Sequence, residues 1–236
     1  MWKIFIVLGM KVVNFIIGGL NMKIKIKAIN ALMVVCILVC TMTSGVFAHE
    51  MYYDGTTPVP LKWNDVTNRT AKLKTNGDML DSNYSSHYST IRVAWPNASA
   101  RVSVTDADFS SSNVDLATAS SDYWSERWGI LYSSYVFGVC DITSTDYYEL
   151  NSLENAKASS GLIRYAGILF TPNSSAYDNT THRRMTMVHE IGHALGLGHP
   201  NTDYYVTNAA SVMRQGTVET YYTPQTHDKN DLNNKY

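Results

Sequence analysis

One eleven-residue segment limits the conformations open to this chain more than any other: His189-Glu190-Ile191-Gly192-His193-Ala194-Leu195-Gly196-Leu197-Gly198-His199. His189 and His193 are four residues apart, a spacing that stacks two side chains on one face of a helix. A straight helix would carry His199 past that face, but Gly196 tolerates the positive φ that a sharp turn needs. The segment therefore predicts a helix that ends near Gly196 and a chain that folds back to bring His199 beside the other two histidines.

Three imidazoles that converge in this way are typical ligands of one Zn²⁺ ion, and three protein ligands leave a fourth position for water. Glu190 directly follows the first histidine, so its carboxylate can lie beside the ion without binding it and can accept a proton from that water. We therefore expect a catalytic zinc site with Glu190 as general base and with three ligands, His189, His193 and His199. The alternative is three histidines that never meet.

The extended histidine motif resembles that of the metzincin clan of zinc endopeptidases, and within the clan the chain is most similar to small bacterial matrixin-like peptidases. Ser211-Val212-Met213 resembles the methionine turn of the clan, which implies that Met213 forms an apolar floor beneath the histidines. The tail His227-Asp228-x₃-Leu232-x₃-Tyr236 resembles the closing helix of matrixins, which implies that Asp228 hydrogen-bonds the backbone of the methionine turn. The resemblance is specific over 160–236 and generic over 61–160.

This resemblance implies an α+β, metzincin-like zincin domain with a mixed twisted sheet, an active-site helix, a methionine turn and a C-terminal helix. It implies an endopeptidase that hydrolyses peptide bonds with a zinc-activated water, and a catalytically inactive zinc-binding module is the alternative. Protein or peptide substrates would lie extended along an edge strand, which we expect within Trp128–Val139. The chain between Met213 and Pro224 would form a pocket wall, with Tyr221 and Tyr222 as its candidates, and the alternative is that both are ordinary surface aromatic residues. The calcium sites of animal matrixins have no clear counterpart, so calcium binding stays open.

Residues 1–48 have the composition of a leader and not of a folded domain. They carry five lysines and no acidic residue, a basic run over 22–27, an apolar run over 31–39, and Val46 and Ala48 at the positions that signal peptidase reads. This pattern predicts a signal peptide cleaved after Ala48, with Met22 as an alternative start. A membrane anchor made of the apolar runs is the other interpretation. We expect a secreted protein with one catalytic domain, 49–236, and no stable membrane anchor after cleavage.

The charge of residues 49–236 argues against nucleic acid as a partner. The whole chain has 19 basic residues, and once the five lysines of the leader are set aside, 20 acidic residues leave a net charge of −6. Cys140 is the one cysteine in this range, so no disulfide can form within it, and its apolar neighbours predict a buried thiol. We expect a monomer whose partners are protein or peptide substrates.

Hydrophobic patterning gives a coarse set of elements. The spacing of apolar residues predicts helices over Asn83–Trp95, Thr181–Leu195 and Gln225–Tyr236. Runs of β-branched and aromatic residues predict strands over Leu61–Lys74, Arg101–Thr105, Trp128–Val139 and Gly161–Thr171. Small polar residues predict a loop over Ser110–Ser121, and Tyr52–Pro60 is expected to be irregular. Strands and helices that mix along the chain in this order favour one α+β arrangement of layers.

Overall fold

A computed structural model describes residues 51–54, 57–133, 136–172, 179–200, 209–215 and 220–236, with the backbone alone for Asp54 and for 128–133. All of these residues belong to one compact unit, Phe47–Tyr236. The predicted signal peptide and its cleavage after Ala48 lie outside the described residues. None of the helices within these ranges has both the length and the apolar character that a membrane span requires.

The described ranges form nine strands and six helices. The strands are β1 Tyr52–Asp54, β2 Thr57–Val59, β3 Lys62–Trp63, β4 Val66–Thr67, β5 Thr70–Met79, β6 Val102–Asp106, β7 Val114–Thr118, β8 Gly138–Ser144 and β9 Leu162–Phe170. The helices are α1 Ser82–Arg92, α2 Ala94–Ala98, α3 Ser121–Ser133, α4 Leu153–Ala158, α5 Thr180–Ala194 and α6 Thr226–Lys235. β1 and β2 form an antiparallel hairpin, and the other seven strands form one sheet.

The seven-stranded sheet is mixed in direction. Its path runs β3-β9-β7-β5-β4, with β6 beside β5 and β8 beside β9. β9 pairs parallel with β3 and β7 but antiparallel with β8, from Gly138 opposite Phe170 to Ser144 opposite Ile163. Among the described strands β9 is the only partner of β8, so β8 forms an edge of the sheet, and α5 packs close to that edge.

A single hydrophobic core joins the sheet to α1 and α5. Ile168 and Phe170 of β9 are fully buried, and Tyr84 of α1 stacks on Phe170 with ring centroids 4.8 Å apart. On α5, Val188 and Ile191 are buried in the same core. Because an amphipathic helix rotates to bury its apolar stripe, these residues fix which face of α5 remains for polar side chains.

The fold class expected from the sequence is confirmed: the chain has a twisted mixed sheet with several helices, as in a metzincin-like fold. The strand predicted over Gly161–Thr171 and the helices predicted over Thr181–Leu195 and Gln225–Tyr236 are present as β9, α5 and α6 within two residues at each end. Asn179 caps α5, since its side-chain oxygen accepts a hydrogen bond from the Thr181 N–H at 2.8 Å.

Two predicted elements are wrong. The expected loop Ser110–Ser121 contains β7, whose residues are buried because β7 lies between β5 and β9 and so has no solvent face to alternate with. The expected strand Trp128–Val139 is divided between α3 and the start of β8 at Gly138. Aromatic and β-branched residues favour strands only weakly, and the packing around them decides the outcome.

Two smaller differences concern turns. The segment Tyr52–Pro60, expected to be irregular, forms the β1–β2 hairpin. The helix predicted over Asn83–Trp95 is interrupted after Arg92, where α1 ends. Pro96 occupies the first turn of the short helix α2 that follows, where a backbone N–H has no helical acceptor in any case.

Candidate metal centre

α5 holds two of the three histidines and then ends in a turn that reverses the chain. Gly196 has φ +78°, its N–H donates to the His193 carbonyl at 2.8 Å, and the Leu197 N–H donates to the Gly192 carbonyl at 3.0 Å. This pair of hydrogen bonds is a Schellman motif. A Cβ at Gly196 would also lie 2.3 Å from the Leu61 carbonyl oxygen, so both the backbone angle and the space require glycine.

The turn brings the three imidazole rings together. Nε2 of His199 lies 3.1 Å from Nε2 of His189 and 3.0 Å from Nε2 of His193. The opposite ring nitrogens face carbonyl oxygens, Nδ1 of His189 that of Val212 and Nδ1 of His193 that of Leu197, both at 2.8 Å. A carbonyl oxygen only accepts, so each Nδ1 carries the proton and each Nε2 directs a lone pair at His199.

This donor set fits a metal ion. A proton on Nε2 of His199 could satisfy the lone pair of only one of the other two rings, whereas a cation among the three nitrogens can accept a lone pair from each of them. Tetrahedral ligands at about 2.0–2.1 Å from zinc would be roughly 3.3 Å apart, and the separations here are 3.0 and 3.1 Å. The three histidines therefore lie close enough to bind one metal ion, and no other group of three His, Cys, Asp or Glu in the described part of the chain does.

The protonation states of the three histidines also fit a metal site. Burial lowers the pKa of His189 and, together with the neighbouring imidazoles, lowers that of His193 further. Burial and His189 lower the pKa of His199 to about 3. All three rings are therefore neutral at pH 7, which is the form that can bind a cation.

Glu190 lies at the same site and is only 5 % exposed. Burial raises the pKa of its carboxyl group to about 8, and the charge of Asp141 contributes to the rise. A cation bound by the adjacent histidines would favour the carboxylate and oppose that rise. The site thus holds one buried acid–base group that is not part of the histidine cluster.

Asp228 connects α6 to the segment below the histidines. Its Oδ1 accepts a hydrogen bond from Ser211 Oγ at 2.5 Å, and its Oδ2 accepts from the backbone N–H groups of Val212 at 3.0 Å and Gln225 at 2.6 Å. The carbonyl of Val212 in turn accepts from His189, so two hydrogen bonds link Asp228 to a ring of the site. Burial raises the pKa of Asp228, and its hydrogen bonds oppose that rise.

Met213 is buried against α5. A Cβ at Gly192 would lie 2.2 Å from the sulfur of Met213 and 2.8 Å from the ring of Trp95, so the helix and the thioether can approach this closely only because residue 192 is glycine. Trp95 also donates its indole N–H to the Val188 carbonyl at 2.9 Å. The contact of Trp95 with α5 could not be predicted from the sequence, because it joins residues that are distant in the chain.

A cavity of about 810 Å³ opens beside Glu190 and the histidines. β8 forms one wall of it, Met185 and Thr186 of α5 contribute another, and Arg214 and Gln215 lie in the chain after the methionine. Cys140 on β8 is only partly buried, and burial together with Glu190 and Asp141 raises the pKa of its thiol. The thiol is therefore protonated at neutral pH and is a poor nucleophile.

Neither tyrosine expected in the pocket wall lines this cavity. The Tyr221 hydroxyl accepts a hydrogen bond from the Ser211 N–H at 3.0 Å, and the Tyr222 ring lies 5.2 Å from the guanidinium carbon of Arg184. Tyr221 therefore supports the methionine turn from outside the cavity. The position of a residue between Met213 and Pro224 does not define the direction in which its side chain points.

Comparison with protein-family models and with curated proteins gives no match. Two solved structures of myroilysin, a metallopeptidase, are similar to the chain. The first is 14% identical with a TM-score of 0.41, and the alignment covers 81% of this chain and 91% of the myroilysin chain. The other is 13% identical with a TM-score of 0.38 and covers 82% and 92%. Agreement at this level is loose, so the assignment of the site rests on its own geometry and the matrixin-like subtype stays a prediction.

Proposed function

We propose that the chain is a secreted zinc-dependent endopeptidase in which His189, His193 and His199 bind the ion and Glu190 is the general base. The observation that carries the proposal is the convergence of three neutral imidazoles beside a buried carboxylate, at the wall of an open cavity. A closed structural zinc site has four protein ligands and no use for a further carboxylate. The arrangement therefore favours catalysis over a purely structural ion.

Each residue of the site has a separate task. A zinc ion held there would supply Lewis-acid chemistry to a water molecule and to the substrate carbonyl. Glu190 accepts the proton of the attacking water and later passes it to the leaving amine. Val212 and Leu197 hold the Nδ1 protons of two histidines, and hydrogen bonds of this kind fix ring orientation and raise metal affinity. Met213 and Asp228 support the turn that carries Val212.

The substrate is proposed to be an extended peptide that pairs with β8. An edge strand presents unpaired N–H and C=O groups, and peptides bind such edges by adding a strand. β8 is an edge among the described strands, borders the cavity, and begins at Gly138 beside Glu190. The binding strand expected within Trp128–Val139 is thus reassigned to the first part of β8, residues 138–141, because 121–133 is helical and the outer edge of residues 142–144 already bonds to Tyr148 and Leu150.

Cleavage of a diverse peptide library by the purified protein tests this proposal, with Glu190→Gln and His199→Ala alongside. We expect Glu190→Gln to keep its zinc and to lose about 10²–10⁴-fold in kcat, the usual contribution of a general base. His199→Ala should bind zinc at least about tenfold more weakly. A Glu190→Gln protein as active as the wild type would exclude the mechanism. A wild type that holds zinc but cuts nothing would favour the inactive zinc-binding module.

A further inference from the structure

We propose that Gly138 is a positioning residue for Glu190: the space that a side chain would fill at Gly138 is occupied by the Glu190 carboxylate. The inference rests on the proposed function of Glu190 as general base. Gly138 is the first residue of β8 and lines the cavity. Its role is to leave room for the group that transfers the proton.

The geometry around Gly138 is unusually close. An ideal Cβ built on Gly138 would lie 2.8 Å from Cγ of Glu190, 2.9 Å from Oε1 of Glu190 and 2.9 Å from Cγ2 of Thr186. Carbon atoms in contact normally lie about 3.5–4.0 Å apart. Glu190 and Thr186 are one helical turn apart on α5, so the same face of the helix presses both side chains against the strand. Any residue other than glycine would overlap with them.

The backbone angles of Gly138 do not require glycine. The positive-φ glycines in the described part of the chain are Gly161 and Gly196, and Gly138 is not among them. Residue 138 could therefore adopt its conformation with a side chain. What glycine provides at this position is space, and the atoms that use the space belong to Glu190 and Thr186.

A methyl group at Gly138 would be accommodated by movement of Glu190. β8 cannot easily retreat, since Gly138 is paired with Phe170 in the ladder with β9. α5 cannot easily retreat either, because Val188 and Ile191 anchor it in the core. The Glu190 side chain has rotatable bonds and a free end, so it moves first. Misplacing a catalytic group by about 1 Å can cost about 10²-fold in rate.

The test compares Gly138→Ala with a matched control, Gly167→Ala. Gly167 lies in the adjacent strand β9, and a Cβ there would meet only the Tyr165 side chain, at 3.6 and 3.8 Å, which is ordinary contact. We expect Gly138→Ala to lower kcat by about 10²-fold, while KM and zinc affinity stay within about threefold of the wild type. Gly167→Ala should change kcat by less than about threefold. Unchanged kcat in Gly138→Ala would overturn the proposal, as would a loss of kcat that a matching loss of zinc affinity explains.

A double-variant cycle keeps the proposal testable without relying on activity. Melting temperatures of metal-free protein are compared for Gly138→Ala in the wild type and in a Glu190→Ala background. We expect Gly138→Ala to lower the melting temperature by a few degrees in the wild type and by less than half as much once the Glu190 side chain is removed. An equal decrease in both backgrounds would show that Glu190 is not the group displaced. If the wild type cuts no peptide, the proposed function fails while this cycle still decides the packing.

Discussion

Substitution of Asp228 measures how much its hydrogen bonds stabilise the segment that supports the histidines. Its two oxygens accept hydrogen bonds from the Ser211 hydroxyl and from the backbone N–H groups of Val212 and Gln225. The side chain is 1 % exposed, so water cannot replace it. Asp228→Ala leaves two N–H groups and a hydroxyl buried without acceptors. At about 1–3 kcal/mol for each lost partner, reduced by partial relaxation, we expect a loss of about 3–5 kcal/mol in the free energy of unfolding.

Asp228→Asn should cost much less, about 1–2 kcal/mol. Asparagine has the same shape, and its oxygen can take the position of Oδ2 and accept both backbone N–H groups. Its amide NH₂ would then face Ser211 Oγ, which already accepts from the Met213 N–H at 2.9 Å and has a second lone pair once its own proton turns away. Asp228→Asn therefore tests hydrogen-bond polarity at constant volume, whereas the further loss in Asp228→Ala reports the missing acceptors and the missing side-chain volume together.

Urea denaturation of the metal-free proteins measures these costs without a contribution from bound ion. Zinc affinity is measured separately by competition with a chelator. Because Val212 orients His189, we expect Asp228→Ala to bind zinc about 10–100-fold more weakly, the usual effect of removing support from a ligand. Equal destabilisation by the two variants, or a cost below about 0.5 kcal/mol for Asp228→Ala, would refute this reasoning.

Two buried tyrosines give further tests. The Tyr236 hydroxyl donates to the Leu195 carbonyl at 2.8 Å and accepts from the Trp63 N–H at 3.0 Å, so Tyr236→Phe should loosen the turn after α5 and weaken zinc binding about 3–10-fold. Tyr84→Phe removes a similar hydrogen bond, to the Thr171 carbonyl, and should leave zinc affinity unchanged. Equal losses of zinc affinity in the two variants, measured by competition with a chelator, would contradict the role of Tyr236 at the turn. Burial raises the pKa of Tyr84 from 10.0 to about 12. Because the pKa is higher in the folded state than in the unfolded state, Tyr84 contributes about 2–3 kcal/mol to the free energy of unfolding. This contribution is fully present below pH 10 and is lost as the pH rises towards 12. Urea denaturation across this range should show a steeper loss for the wild type than for Tyr84→Phe, and parallel curves would exclude the effect.

The histidine segment could be predicted because its geometry is local. A spacing of four residues places His189 and His193 on one helix face in any α-helix, and the positive φ of Gly196 is a property of glycine. The same holds for the alternating burial of β9 and for the polar start of α6. Bringing His199 to the other two rings needed only these local rules and one turn.

The parts that could not be predicted depend on partners far away in the chain. β7 is a strand because β5 and β9 pair with it on both sides, and nothing within Ser110–Ser121 indicates those neighbours. The approach of Gly138 to Glu190 likewise depends on how β8 packs against α5. An isolated glycine at the end of a predicted strand was the one signal there, and it indicates close approach without naming the partner.

The long-range hydrogen bonds of Tyr236 and Asp228 also affect the stage of folding at which the site can form. Tyr236 bonds to Trp63 across 173 residues and to Leu195 across 41, while Asp228 bonds to Val212 across 16. Contacts this distant form late, since the entropy of closing the intervening chain must be overcome first. The hydrogen bonds between Asp228 and Val212 and between Tyr236 and Leu195 therefore form after the helix that holds His189 and His193. The three histidines would thus gain their full support only in the last stage of folding.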